Sequence, residues 1–263
     1  MNKYIRKGEL KILGSGTSQG IPVITCECPV CCSKDKKDKR LRTSALLTFD
    51  RRNIVIDTGP DFRYQMLREN VKNLDGVLIT HQHKDHIAGM DDVRSFNFKQ
   101  NQSINVFSTL EVQAALKKEF HYAFSENKYP GVPKFNLIEI DNNIFYPLCD
   151  IGIIPIEVIH HKMPVKGFRI GDLTYITDAK KINPPELEKI MGSKILIINA
   201  LRISEHISHF NLSEALDVIK LVNPQKAFLT HISHLLGKHE EISKQLPKNV
   251  HIAYDGLTME FYY

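Results

Sequence analysis

The sequence predicts a layered α/β fold, and three observations carry that prediction. Short apolar runs of strand length alternate with segments of helical period along the chain. A chain of 263 residues with 42% hydrophobic content can bury a full core. No stretch approaches ~18 consecutive apolar residues, so no membrane-spanning helix is expected.

The elements follow in order. Strands are predicted at Leu10 to Leu13, Ser44 to Phe49, Asn53 to Ile56 and Val77 to Ile79, each bounded by polar or turn-forming residues. A helix from Phe62 to Asn70 interrupts them. The strand Asn105 to Phe107 leads to a helix from Leu110 to Phe120. Residues Phe120 to Phe135 then form an aromatic, proline-bearing loop, read as an active-site cover that recognises an organic ring, as a dimer contact, or as a plain surface loop. Strands at Ile153 to Ile159, Phe168 to Ile170 and Leu173 to Ile176 come next. Pro184-Pro185 suits the start of a helix running to Met191. A strand at Ile195 to Asn199 precedes a helix at Leu212 to Val222, which Asn211 or Ser213 can cap. A strand at Ala227 to Leu229, a helix at Glu240 to Leu246 and a strand at Ile252 to Tyr254 complete a layered alternation.

The densest chemical signal is Thr80-His81-Gln82-His83-Lys84-Asp85-His86, directly after Val77-Leu78-Ile79. The strand fixes the start of this loop, and the loop folds its side chains around one point. Imidazole and carboxylate ligands at this density suit zinc or a neighbouring transition metal. His81 and His83 can serve one ion, and Asp85 and His86 can turn to a second.

A second cluster is Cys26-Glu27-Cys28-Pro29-Val30-Cys31-Cys32. The start Met-Asn-Lys-Tyr shows no apolar secretory segment, so a cytoplasmic location is expected. Disulfides are disfavoured there, and clustered cysteines read as metal ligands or reactive thiols. Adjacent Cys31 and Cys32 cannot both reach one ion with good geometry. Cys26, Cys28 and Cys31 with a distant histidine would close a tetrahedral structural zinc site, and His234, three residues after His231, is the natural fourth ligand. Cys149, alone near an apolar strand, reads as core.

The histidine-rich loop resembles that of the metallo-β-lactamase superfamily and reproduces its His-x-His-x-Asp-His pattern without departure. The resemblance implies a four-layer αββα sandwich with two catalytic divalent metals, zinc or manganese, at the edge between the sheets. It implies that one metal takes His81, His83 and a later histidine. The other takes Asp85, His86 and the last histidine, and an aspartate bridges both. Asp178, closing Leu173-Thr174-Tyr175-Ile176-Thr177, matches the bridging position. His231, closing Ala227-Phe228-Leu229-Thr230, matches the last histidine and echoes Ile79-Thr80-His81. The middle histidine is His160 or His161, since neighbours on a strand face opposite ways. The layout of relatives, met by Lys162, Gly167 and Phe168, favours His160. Asp57, before Thr58-Gly59-Pro60, matches the aspartate that orients a metal-bound imidazole, with a plain turn aspartate as the alternative. Ligands spread from residue 81 to 231 imply one domain over residues 1–263.

Gly14-Ser15-Gly16-Thr17-Ser18-Gln19-Gly20-Ile21-Pro22 looks like the opening shared by ribonuclease Z and cyclic phosphodiesterase relatives. It has neither the dinucleotide-binding spacing nor a following Gly-Lys-Ser/Thr, and is read as a loop beside the metal edge or as simple packing. The Cys-x-Cys-x-x-Cys spacing with His234 resembles the PhnP-type phosphoribosyl cyclic phosphate phosphodiesterases, which carry a structural zinc. His209, in a loop entering a helix, sits where those relatives place a histidine acting on phosphate or leaving group. It is expected as general acid near its neutral-pH switching range, with His206 as substitute. His121, His239 and His251 read as structural.

Together the resemblance implies a metal-dependent phosphodiesterase cleaving a small cyclic or nucleotide-like phosphate ester through a hydroxide held by the metal pair, with Asp85, Asp178 and His209 catalytic. Alternatives are a ribonuclease Z-like tRNA endonuclease, a thioester or lactam hydrolase of the same fold, and a metal-binding interaction module. Net charge is +5, much of it in Lys34 to Arg42, a mixed run read as a solvated loop or as a phosphate or nucleic-acid contact. Arg42 is the candidate substrate-binding residue there. The expected partner is a small phosphodiester, with nucleic acid second, no membrane, and a homodimer on resemblance alone.

Overall fold

Strands that read as unbroken apolar runs must be buried on both faces, and two face-to-face sheets with helices outside them meet that demand. The computed structural model describes residues 6–148 and 150–263, so the readings of the chain start and of Cys149 lie outside the described residues. The first sheet begins with β1 (Lys7–Gly14), β2 (Ser44–Phe49), β3 (Arg52–Ile56), β4 (Gly76–Leu78), β5 (Ile104–Ser108) and β6 (Phe135–Glu139). The second contains β7 (Phe145–Leu148), β8 (Ile151–His160), β9 (Met163–Ile170), β10 (Leu173–Tyr175), β11 (Lys181–Ile182), β12 (Ile195–Asn199), β13 (Lys226–Thr230) and β14 (Val250–Ile252). β15 (Thr258–Tyr262) returns to the first sheet, whose order is β15-β1-β2-β3-β4-β5-β6. The second sheet runs β11-β8-β9-β10-β12-β13-β14, with β7 on β8. From β3 to β6, and from β10 through β12 to β14, neighbours are parallel.

Side-chain alternation divides each strand between two cores. Ile54 and Ile56 meet Phe168, Tyr175 and Ile197 between the sheets, whereas Val55 points outward. On that outer face it joins Phe62 and Met66 of α1 (Phe62–Arg68), and the same layer holds α2 (Lys84–Ile87), α3 (Arg94–Gln100), α4 (Leu110–Glu119) and α5 (His121–Phe124). Leu196 and Ile198 face α6 (Pro184–Ile190) and α7 (Leu212–Val222), and α8 (His239–Ser243) adds Ile242 to this layer. The result is the four-layer sandwich.

The differences from the sequence reading have local causes. The aromatic segment is not mainly a cover. Phe120 is buried, Phe124 and Phe135 stack at 5.7 Å in the outer core, and Tyr129 stays exposed. The strands β6, β7, β11 and β15 and the short helices α2, α3 and α5 were not predicted; β6, β11 and β15 are edge strands and β7 pairs only with β8, so each carries a weak apolar signal. The last predicted strand, Ile252 to Tyr254, lies earlier, at β14. The Lys34 to Arg42 run is not wholly solvated. Asp38 is buried and accepts the His239 amide at 2.7 Å, and Arg40 is buried against Ser15 at 2.8 Å.

α7 leaves the site with a capping box: Asn211 accepts from the Glu214 amide at 2.9 Å, and Glu214 reaches back to the Asn211 amide at 2.9 Å. Asn211→Ala is expected to lower unfolding free energy by ~1 kcal/mol in chemical denaturation; a change near zero would contradict this role.

Candidate metal centre

The parallel strands β3, β4, β10 and β13 all end at one edge of the sandwich, and the candidate ligands follow those ends. β4 stops two residues before Thr80, and the chain turns through His83 into α2. Asp57 follows β3, Asp178 follows β10, His231 follows β13, and His160 is the last residue of β8. Asp57, Asp178 and His231 all have left-handed backbone, at φ of 61°, 55° and 54°. Non-glycine residues rarely adopt this conformation, and it clusters at functional sites.

The ligand atoms of His81, His86 and Asp178 lie within 4.8 Å of one another, as do those of Asp85, His86 and His231 and those of His160, Asp178 and His209. His81 Nε2 and His83 Nδ1 are 3.1 Å apart. The His83 and His160 rings lie 5.1 Å apart. His86 Nε2 is 3.1 Å from Asp85 Oδ2 and 3.3 Å from Asp178 Oδ2 yet hydrogen-bonds neither, leaving a buried polar atom without a partner. Such an orphan is costly unless something else occupies the convergence point. His161, by contrast, sits exposed at the turn after β8.

Surrounding groups fix the ring orientations. Asp57 Oδ2 accepts from His86 Nδ1 at 2.7 Å and from the Thr80 hydroxyl at 2.8 Å, while Oδ1 takes the Thr80 amide at 2.8 Å. His81 Nδ1 lies 2.9 Å from the Thr80 hydroxyl, and His160 Nδ1 donates to the Ser208 carbonyl at 2.8 Å. Asn199, buried at the end of β12, accepts the Ala179 amide at 2.8 Å and donates to its carbonyl at 2.9 Å, which holds the turn carrying Asp178. Thr17 and Thr43 flank His231 at 3.1 Å each. The sequence reading missed Thr80, Asn199, Ser208 and both flanking threonines as supports. Only Thr80 carried a signal, the Thr-His dipeptide at a strand end.

Burial lowers His81 well below its ordinary pKa. Burial alone would lower His86 as well, but Asp178, Asp57 and Asp85 raise it well above the usual range. Burial would raise Asp178 and Asp85, and the surrounding histidines outweigh it and hold both below the carboxylate range. His209 departs from the expected neutral switching range: burial and nearby His231 push it down to about 3. Its Nδ1 has no partner and stands 3.7 Å from Asp178 Oδ1. His206 stands back, 5.2 Å from His209 ring to ring. Arg42 is held elsewhere, its guanidinium 3.2 Å from Asp61 Oδ1 and 3.1 Å from the Ser18 carbonyl. Beside Gln82 opens a 270 Å³ cleft, whose wall holds Glu111, Glu139, Asp141 and Glu157 against Lys166.

The cysteine cluster forms a separate group. Cys26, Cys28 and Cys31 sulfurs lie 3.2, 3.4 and 3.5 Å from His234 Nδ1, while Cys32 is exposed. Amides of Cys31 and Val23 donate to the Cys28 and Cys31 sulfurs at 3.4 Å each, bonds that favour thiolate. The Cys31 amide draws the Cys28 thiol down, and burial pushes the Cys31 thiol up.

Comparison with known proteins matches residues 52–232 to the family described as Beta-lactamase superfamily domain. A solved diphosphatase from the PhnP family superposes with a TM-score of 0.92 at 36% identity, covering 98% of both chains. An octanoyltransferase of Porphyromonas gingivalis is 38% identical over 94% of this chain and 50% of its own length. A ribonuclease Z of Staphylococcus haemolyticus is 26% identical over 60% of this chain and 48% of its own. The chain thus spans about half the length of these two relatives.

An ion using His86 Nε2 must displace a proton held above the ordinary histidine range, whereas Asp85 and Asp178 are already ionised at neutral pH. The His86–carboxylate stabilisation of the metal-free chain is present at low pH and fades as pH rises through the raised pKa. Zinc or manganese affinity is therefore expected to climb with pH through and above neutrality, with proton release, in calorimetric titrations in several buffers. A pH-independent affinity would contradict this.

Proposed function

This chain belongs to the β-lactamase superfamily, and from that premise we propose that it is a metal-dependent phosphodiesterase acting on a small cyclic or nucleotide-like phosphate ester. The reading takes residues 1–263 as one catalytic domain working in the cytoplasm. The observation that carries it is the convergence of histidines and carboxylates around the unpartnered His86 Nε2, with His209 beside them. This donor set fits a pair of zinc or manganese ions: Asp85, His86 and His231 would hold one, and the superfamily pattern would give the other to His81, His83 and His160, with Asp178 near both His81 and His160. When bound, such a pair supplies Lewis acidity toward a phosphoryl oxygen and acidifies water. Cys26, Cys28, Cys31 and His234 fit a closed structural zinc site.

The chain's own side chains do the rest. Asp57 and Thr80 hold His86 and His81, and the Ser208 carbonyl takes the Nδ1 proton of His160, which leaves Nε2 free for the centre. His209 is neutral in the ligand-free chain, and a phosphate anion brought beside it raises its pKa, so it gains its proton with the substrate and donates it to the leaving oxygen. The cleft beside Gln82 flanks the histidine-rich loop, though none of the candidate ligands lines it. Four carboxylates against one lysine suit an uncharged or cationic alcohol and oppose a polyanionic RNA strand, which puts the ribonuclease Z reading second.

The test pairs elemental analysis with hydrolysis of bis(p-nitrophenyl) phosphate, with and without manganese. About three ions per chain are expected, and Asp178→Ala should cut turnover by at least ~100-fold, more than the loss typical of a group that only supports a ligand. Absence of turnover under manganese would sink the reading. Cys31→Ser should remove one zinc and lower the melting temperature by several degrees, since bound metal stabilises by mass action.

A further inference from the structure

We infer that the groove between α1 and α3 is a docking site for an acidic amphipathic helix of a partner protein. The groove lies in the outer helical layer, and none of the candidate metal ligands lines it.

Each of the two helices presents a ridge. α1 contributes Phe62, Arg63, Met66 and Leu67, and α3 contributes Ser95, Phe96 and Lys99. These spacings of three and four residues put each set on one helix face. Between the ridges runs a channel of 480 Å³. Phe62, Met66 and Phe96 are buried and form its floor, with the Phe62 and Phe96 rings 6.4 Å apart. Leu67 stays 61% exposed on the wall. At the end of α1, Asn70 turns left-handed, and the Val71 amide donates to the Met66 carbonyl at 3.0 Å. That turn brings Lys72 round to the groove. A third helix can lay its own ridge in a channel between two others.

Charge decides the kind of helix. Arg63, Lys72 and Lys99 line the groove, and none has a carboxylate within 4.0 Å among the described residues. The carboxylates beside the two helices are engaged elsewhere: Asp61 with Arg42 at 3.2 Å, Glu69 with Arg68 at 2.6 Å and Asp91 with Arg94 at 3.4 Å. Asp92 is the acidic lining residue, and burial and Asp91 push its pKa up, which disfavours its charged form. Three free cations around an apolar floor call for an occupant with apolar side chains at helical spacing and carboxylates on either side of them.

The test titrates the full chain with a synthetic helical peptide of about four turns, with leucines at i, i+3, i+4 and i+7 and glutamates on both flanks. Fluorescence anisotropy reads affinity, and ¹⁵N–¹H NMR reads the site. Saturable binding is expected, with shifts on α1 and α3 and weakening as salt rises. The same peptide with lysines for glutamates should bind at least ~10-fold more weakly, a comparison that needs no variant to fold. Arg63→Glu combined with Lys99→Glu should cost the glutamate peptide ~10-fold or more at an unchanged melting temperature. Equal affinity for the two peptides, no saturation, or shifts confined to the histidine-rich loop overturns the inference. A dimer in sedimentation that Leu67→Asp dissolves also overturns it, because the occupant is then a second copy. Binding to phosphatidylglycerol vesicles without binding to the glutamate peptide overturns it in favour of a membrane surface.

Discussion

The carboxylate of Asp57, fully buried at the end of β3, is the interaction on which the rest of the site depends. Burying a charge without partners is costly, and Asp57 meets that cost with three donors: the amide and hydroxyl of Thr80 and the Nδ1 of His86. These contacts lie at the two ends of the histidine-rich loop. With both ends tied to one carboxylate, the loop is held at the edge of the sandwich, with His81 buried, Asp85 half-buried and His83 exposed. Burial raises the Asp57 pKa, and His86 and Thr80 draw it back toward the ionised form that accepts all three bonds.

The same economy recurs where other strands reach the edge. A strand sends alternate side chains up and down, so its direction alone does not turn a residue toward a centre beyond its end. Asp57, Asp178 and His231 make that turn through left-handed backbone, a conformation that costs of order 1 kcal/mol or more for a side chain with a Cβ. Each is held from outside: the Asp57 amide by the Leu78 carbonyl, the residue after Asp178 by Asn199, and the residue after His231 by the Ser15 carbonyl. Strain is kept because the neighbouring sheet leaves no relaxed alternative.

The two donor clusters are mechanically joined. His231 and His234 lie on one short loop, and the Thr17 amide and the Ile232 carbonyl bond at 3.0 Å, linking that loop to the opening that leads to Cys26. A group closing Cys26, Cys28, Cys31 and His234 would therefore brace the loop that carries His231. No helix among the described residues is long and apolar enough to cross a membrane.

Much of this was legible in the sequence. The alternation of apolar strands with helical segments implied a layered α/β protein, the resemblance carried by the His-x-His-x-Asp-His loop implied the four-layer sandwich, and that spacing is local enough to name its own candidate ligands. The cysteine triplet is local as well. Among the elements that were missed, β6 and β15 lie at sheet edges where the apolar signal is halved. Phe120 and Phe124 of the aromatic segment could face either core or solvent from the sequence, and only packing against α4 and β6 chose the core. What the sequence could not contain is the state of each group once neighbours arrive. The low pKa of His209 and the commitment of Arg42 to Asp61 both come from residues far apart in the chain. Local spacing names a ligand because one loop supplies it; protonation and orientation depend on what several strands bring to the same point, and only the folded sandwich decides that.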